Sequence, residues 1–129
     1  KYILKVFSLH QKIYQWSWLF KIAFYMTIFM GCYMAFTPVE GGIQAKFNDK
    51  ALHAIGFFVM AVMAQLAHPK TRFMILSIGL ACFGFAIELI QAYLPYRSFS
   101  MWDWGADVLG IAVYFIFFAH FLKDKPSLD

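Results

Sequence analysis

Four long apolar runs, separated by short connections, constrain this chain more than any other feature of its sequence. They cover residues 19–36, 51–67, 73–94 and 104–122. At about 1.5 Å per residue, each run forms a helix close to the thickness of a hydrocarbon core, which is about 30 Å. The composition agrees, because 62% of the residues are hydrophobic and only 14% are charged. The sequence therefore predicts an all-α membrane protein with four transmembrane helices in a single domain, residues 1–129.

Basic and polar residues precede the first run at helical spacing, at Lys1, Lys5, Ser8 and Lys12. Apolar residues fill the rest of that arc. Such a pattern is typical of a helix that lies along an anionic membrane surface. An interfacial amphipathic helix is therefore predicted before the first span.

The distribution of Lys and Arg predicts how the helices cross the membrane. With four spans, both termini lie on one side, and that side holds eight of the 11 basic residues. The other side holds Lys46, Lys50 and Arg97. Because basic residues concentrate in cytoplasmic segments, both termini are predicted to be cytoplasmic.

Small and polar residues recur on one face of each predicted helix, at steps of three and four residues. On the third helix they are Ser77, Ala81, Gly84, Glu88 and Gln91. The stripes on the first, second and fourth helices are Thr27, Gly31 and Ala35; Asp49, His53, Gly56 and Met60; and Asp103, Asp107, Gly110 and Tyr114. Small residues let membrane helices approach closely. These stripes are therefore predicted to be the contact seams of a four-helix bundle.

The bundle is predicted to gather ionisable and amide side chains near its outer end. They are Asp49, Lys50, His53, Glu88, Gln91, Arg97, Ser100, Asp103 and Asp107. Two interpretations stay open: a structural network in which basic residues neutralise the carboxylates, and a ligand-binding or catalytic pocket open to the outside. The Ser-x-x-Asp spacing also predicts that Ser100 caps the fourth helix, with Asp103 near its positive end.

The residue types in this cluster favour binding over catalysis. His53 is a candidate base, yet no strong nucleophile motif accompanies it, so no catalytic residue is assigned. A second His or Cys at ligand spacing is missing, and neither a metal nor another cofactor is expected. Arg97 can bind a phosphate or carboxylate through two parallel hydrogen bonds. No nucleic-acid motif occurs, and the basic charge is explained by orientation in the membrane.

The segments “NDKALHAIGFF” and “GFAIELIQAYLPYRSFSMWDWGADVLG” resemble the VanZ-like family of small bacterial membrane proteins. The resemblance covers residues 48–110. It rests on Asp-Lys followed by His, then Glu-x-x-Gln, Pro-x-Arg, Ser-x-x-Asp and a closing Gly. One position departs from the pattern, because Asp107 stands where the family is expected to have asparagine.

This resemblance implies a multi-pass protein of the bacterial cytoplasmic (inner) membrane, with a link to low-level teicoplanin resistance. Together with the polar cluster, it leads us to expect a protein that binds or modulates a membrane lipid or a lipid-linked envelope amphiphile. The alternative is an accessory or structural subunit of a larger membrane complex. In that case other membrane subunits are the partners, and the polar cluster has the structural role of holding the helices together.

Overall fold

The computed structural model describes residues 2–38 and 48–119, and for residues 2–10 and 13 it describes the backbone only. The described chain folds into helices and contains no strand. In chain order the helices are α1 (Tyr2–Phe36), α2 (Asp49–Ala67), α3 (Phe73–Gln91) and α4 (Met101–Phe117). The predicted all-α fold class is confirmed.

Three of the helices contain segments long and apolar enough to cross a membrane. These segments are Tyr14–Phe36, Asp49–Ala67 and Phe73–Gln91. The fourth helix has 17 residues. At about 1.5 Å per residue it is about 25 Å long, a little less than a typical hydrocarbon core. A fourth crossing by α4 and the orientation of the termini stay predictions.

Side-chain caps determine where α2 and α4 begin. Asn48 Oδ1 accepts a hydrogen bond from the backbone N–H of Lys50 at 3.0 Å, and Ser100 Oγ accepts one from that of Asp103 at 3.2 Å. Each cap satisfies a backbone donor that the first helical turn leaves unpaired. The helices therefore begin at residues 49 and 101, before the predicted starts at 51 and 104. The predicted cap at Ser100 is confirmed.

The helices α3 and α4 end earlier than the sequence predicted. The last residue of α3 is Gln91 rather than residue 94. Pro95 lacks a backbone N–H and disfavours helical geometry in the residue before it, so the chain turns. The last residue of α4 is Phe117 rather than residue 122, and the N–H of Phe118 donates to the Tyr114 carbonyl at 2.9 Å. Residues 120–122 lie outside the described part.

The first helix is continuous over 35 residues. The prediction of an interfacial helix followed by a separate span from residue 19 is wrong in this respect. No proline occurs before Pro38, so nothing in the sequence breaks the backbone hydrogen bonds of the helix. The apolar segment within α1 begins at Tyr14. The side chains at positions 1, 5 and 8, on which the amphipathic pattern rests, lie outside the described residues.

The helix α2 lies at the centre of the bundle and packs against the other three, most extensively against α4. Glycines permit close approach. A Cβ atom at Gly110 would overlap the backbone carbonyl of Ala54, and one at Gly84 would lie 3.0 Å from the ring of Phe57. Both glycines belong to predicted small-residue stripes. The stripes on α3 and α4 therefore do form contact seams, as small residues do between membrane helices.

The half of the bundle around the turn between α2 and α3 is apolar except for the buried Gln65, and we call it the apolar end. Its buried residues include Ala61, Ala64, Ala67, Phe73 and Tyr114. The ring of Phe73 lies 5.2 Å from that of Tyr114. Small alanines on α2 thus leave room for aromatic rings on α3 and α4, and this end is held by packing.

Candidate functional site

The nine predicted site residues lie at the opposite end of the bundle, and we call them the polar cluster. Asp49, Lys50 and His53 lie at the start of α2; Glu88 and Gln91 lie at the end of α3; Arg97 and Ser100 lie in the connection to α4; Asp103 and Asp107 lie in the first two turns of α4. Four of them are buried, namely Glu88, Gln91, Asp103 and Asp107. The helix order therefore brings together polar residues that are 58 positions apart in sequence.

Two pairs of side chains join α2 to α4. Lys50 Nζ lies 3.2 Å from Asp103 Oδ1, and His53 Nδ1 lies 2.7 Å from Asp107 Oδ1. The two pairs differ in environment, because the Lys50 side chain is 55% exposed and that of Asp107 only 1%. The outer pair is therefore open to exchange with solvent. The inner pair fixes the orientation of the imidazole ring.

Glu88 joins α3 to the start of α4. Its Oε2 accepts a hydrogen bond from the backbone N–H of Ser100 at 2.9 Å. Its other oxygen, Oε1, is buried and has no hydrogen-bond partner among the described residues. The whole side chain is inaccessible to solvent. A carboxylate in this state is costly to bury, since each of its oxygens loses hydration.

The end of α1 is held by donors from the connection after α3. Gln91 Nε2 donates to the Ala35 carbonyl at 2.9 Å, and Arg97 Nη2 donates to those of Met34 and Thr37 at 3.0 and 3.1 Å. The last carbonyls of a helix lack intrahelical partners and carry its negative partial charge. Arg97 and Gln91 therefore cap α1. The sequence predicted that Arg97 binds an anion. The same guanidinium group would have to bind that anion and cap α1.

Sequence reasoning missed two cross-helix donors in this region. The Tyr96 hydroxyl donates to the Phe36 carbonyl at 2.7 Å, and Trp104 Nε1 donates to the Ala81 carbonyl at 2.9 Å. Both aromatics carry a polar group on an apolar body, which suits a membrane interface and predicts no particular partner. Only the three-dimensional arrangement identifies the carbonyls that they bind.

Two cavities meet at the polar cluster. One, of about 360 Å³, has a mostly polar lining formed by Asp49, Gln91, Pro95, Tyr96, Arg97, Ser98 and Asp103. The other, of about 100 Å³, lies between α1, α2 and α3, and its apolar lining includes Gly31, Leu52, Gly56, Met60 and Ile87. Asp49, Gln91 and Arg97 line both. The polar cavity and the apolar cavity therefore adjoin each other along these three residues.

Gly56 belongs to this apolar cavity and not to a close helix contact. The sequence placed it in the contact stripe of α2. A Cβ atom built there would meet no atom within 4 Å. Glycine in a membrane helix indicates either close approach or open space, and the sequence alone does not separate the two.

Comparison with known proteins gives one distant similarity. An uncharacterized protein of Schizosaccharomyces pombe is 27% identical over 95 residues, which cover 70% of this chain. The aligned region covers 56% of that protein's length, so the chain spans little more than half of the relative. No family model matches the chain, and no solved structure matches it.

These findings contradict the identification as a VanZ-like protein. No model of that family matches, and the relative belongs to a eukaryote. The predictions of a bacterial inner-membrane location and of a link with teicoplanin resistance rested on that identification and are not supported. The structure explains why the motif residues occur without the family: Ser100 caps α4, Pro95 lies beyond the end of α3, and Gly110 lets α4 approach α2. Helix geometry alone accounts for these three positions.

Proposed function

We propose that this protein binds an amphiphile of the membrane, with the polar head in the polar cavity and an apolar tail in the cavity between α1, α2 and α3. The observation that carries the proposal is that the two cavities adjoin each other and share Asp49, Gln91 and Arg97 as lining residues. Ligand sites are commonly apolar clefts with a few placed polar groups. A purely structural network of charges needs no apolar space beside it.

The proposal includes an orientation. All four helices cross the membrane, both termini are cytoplasmic, and the polar cluster faces the other side. The distribution of basic residues supports this orientation, because eight of the 11 lie on the side of the termini. The modest length of α4 is accommodated by slight thinning of the bilayer at a small cost.

The depth of the cluster agrees with binding of a head group. Asp49, Lys50 and Asp103 lie in the first turns of α2 and α4. In the proposed orientation this is the level where lipid head groups meet the hydrocarbon core. Further in, Gly56 and Met60 are separated from Asp49 by about two and three helical turns. An amphiphile bound along α2 would therefore have its head group beside charged residues and its tail beside apolar ones.

The experiment fills the apolar cavity without disturbing the helices. Gly56→Leu places a side chain in open space, and Gly79→Leu places one at an exposed position of α3 with equally open space. Both variants and the wild type are purified in mild detergent, and native mass spectrometry measures the retained lipids. Wild type and Gly79→Leu are expected to retain the same amphiphile, and Gly56→Leu to lose it. Equal retention in all three would contradict the proposal.

The proposed orientation is tested by labelling at the rim of the polar cavity. Ser98 is exposed and lines that cavity. In sealed vesicles whose cytoplasmic face is turned outward, a Ser98→Cys variant should react with a membrane-impermeant maleimide only after permeabilisation, above the labelling of the wild type with its own two cysteines. Labelling of the intact vesicles would place the polar cluster on the cytoplasmic side.

A second candidate function, as a subunit of a larger membrane complex, is favoured by the exposure of α1. Only 6% of the apolar segment of α1 is buried within the bundle, against 33% for α2. A partner helix could cover this face. Native mass spectrometry of the same preparations discriminates the two, because a stoichiometric protein partner without a retained amphiphile would favour the subunit.

A further inference from the structure

We propose that Asp49, His53 and Asp103 form a binding site for a divalent transition-metal ion such as Mn²⁺ or Zn²⁺. One ligand atom from each of the three residues lies within 4.8 Å of the others. This site shares Asp49 and Asp103 with the lining of the polar cavity, but it does not depend on the binding of an amphiphile. No metal was expected from the sequence, because a single histidine accompanies the carboxylates and no second His or Cys stands at ligand spacing.

Helix geometry brings the three ligands together. Asp49 and His53 are four residues apart on α2, so their side chains lie on the same face one turn apart. Asp103 reaches the same place from the first turn of α4, which packs against α2. Two of the ligands thus share one rigid helix, and the third comes from its most extensive neighbour.

The pair between His53 and Asp107 has the form of a metal-site support. Histidine ligands commonly donate their second ring N–H to a carboxylate, which fixes the tautomer and the ring orientation. Here Nδ1 lies 2.7 Å from Asp107 Oδ1. With the proton on Nδ1, the lone pair is on Nε2, and this nitrogen is the one available to a metal. Asp107 is almost fully buried, so the ring has little freedom to turn.

The charge of the polar cluster favours the binding of a cation. Among the described residues it contains four carboxyl groups, Asp49, Glu88, Asp103 and Asp107, and two permanently basic side chains, Lys50 and Arg97. Buried carboxylates require compensating positive charge. The cluster has two more carboxyl groups than permanently basic side chains, and the two positive charges of a divalent ion would balance this difference.

Glu88 provides an independent sign of a ligand. It is completely buried, its Oε1 has no partner among the described residues, and its Oε2 accepts a hydrogen bond from the N–H of Ser100, just before the helix that carries Asp103. A buried oxygen without a partner is expensive unless a further positive group lies near it. A metal on Asp103 and His53 would supply that group.

The choice of metal follows from the donor atoms. Imidazole suits Zn²⁺ and its neighbours, carboxylates suit Mn²⁺, and the site offers no thiolate.

Lys50 is the competing cation, because its Nζ lies 3.2 Å from Asp103 Oδ1. Its side chain is 55% exposed and can move into solvent when a metal takes that oxygen. Removing the Lys50 charge should therefore strengthen metal binding.

The test measures Mn²⁺ binding to chelator-treated protein in detergent, through loss of the electron paramagnetic resonance signal of free Mn²⁺. One saturable site is expected, and Zn²⁺ should displace the ion because it binds such donors more tightly. Asp49→Asn should weaken binding at least about tenfold, and Lys50→Gln should tighten it. The control is His68→Gln at the other end of α2, which should leave binding unchanged.

Two further variants keep the result interpretable. Asp107→Asn removes the charge that supports His53 and should weaken binding by about 10-fold to 100-fold, the range seen for such supporting groups. Gly56→Leu should retain metal binding while losing the amphiphile, so failure of one proposal is distinguishable from failure of the other. The absence of saturable Mn²⁺ and Zn²⁺ binding, or equal affinity in wild type and folded Asp49→Asn, would overturn the metal site.

Discussion

The polar end and the apolar end of the bundle are built from the same helices but are held together in different ways. At the polar end, charged and amide side chains cross between elements, as in the pair of His53 with Asp107 and the bond from Ser100 to Glu88. At the apolar end, alanines of α2 belong to the same buried core as the rings of Phe73 and Tyr114. There the buried Tyr114 hydroxyl has no hydrogen-bond partner among the described residues.

This difference indicates which end carries the function. The apolar end leaves the Tyr114 hydroxyl unpaired among the described residues and has an apolar cavity of about 310 Å³ between α3 and α4, and its stability follows packing. The polar end instead buries the carboxyl groups of Glu88, Asp103 and Asp107 and adjoins two cavities with polar groups in their linings. Costly buried charges next to open space are the combination expected of a binding site.

The largest loss of stability should come from a change that forces α2 and α4 apart, because the contact between these two helices runs from the polar end to the apolar end. In Gly110→Leu the new side chain meets the Ala54 carbonyl, and a backbone atom cannot move aside as a side chain can. We expect a loss of about 3 kcal/mol or more in unfolding free energy, at the upper end of the overpacking range. Thermal unfolding in detergent measures it. Gly105→Leu, on the same helix in open space, is the control and should unfold near the wild-type temperature.

The next effect should be specific to the polar end. His53→Ala leaves the Asp107 carboxylate buried without its partner and should cost about 3 kcal/mol, as the loss of one member of a buried pair does. The double variant His53→Ala with Asp107→Ala should cost much less than the sum of the single changes, because neither side chain is then left buried without its partner. If the losses in unfolding free energy were strictly additive, the interaction between His53 and Asp107 would contribute nothing to the stability of this end.

A smaller effect is expected from the cap on α1. Arg97→Lys keeps the charge but replaces the planar guanidinium that donates to the Met34 and Thr37 carbonyls. We expect a loss of about 1.5 kcal/mol, the value typical of a hydrogen bond from a charged group. Arg72→Lys is the matched control, because Arg72 is exposed and makes no side-chain cap bond to α3. Similar losses in both variants would contradict the role of Arg97.

The smallest effect should come from the apolar end. Tyr114→Phe removes a hydroxyl that has no partner among the described residues, while the ring and its packing stay. Removal of an unsatisfied buried polar group should leave stability unchanged or raise it by up to about 1 kcal/mol. Thermal unfolding of this variant next to the wild type checks the prediction. A clear loss would mean that the hydroxyl is satisfied after all.

Much of this architecture could be predicted from local pattern. The hydrophobic runs indicated the helices, the Ser-x-x-Asp spacing indicated the cap at Ser100, and steps of three and four indicated the seams through Gly84 and Gly110. These features depend on neighbours within one or two helical turns. The nine residues of the polar cluster also follow from this reasoning, because spacing places them at one end of their helices.

The rest depends on contacts between distant residues, which one sequence does not contain. The bonds of Gln91 and Arg97 to the end of α1 join positions about 60 residues apart. The cavity beside Gly56 is a space left between three helices, and no residue type encodes it. The identification as a VanZ-like protein failed for a related reason: its motif residues include caps and close contacts that any bundle of this shape requires.

The central claim, that an amphiphile occupies the apolar cavity, is tested most directly with a lipid carrying a photoreactive tail. Met60 is only 4% exposed and lines the cavity, whereas Met74 is 60% exposed on the outer face of α3. After irradiation in lipid nanodiscs, mass spectrometry maps the cross-linked residues. We predict cross-links at Met60 and Met74 in the wild type, and at Met74 alone in Gly56→Leu. Cross-linking at Met74 without Met60 in the wild type would contradict the claim.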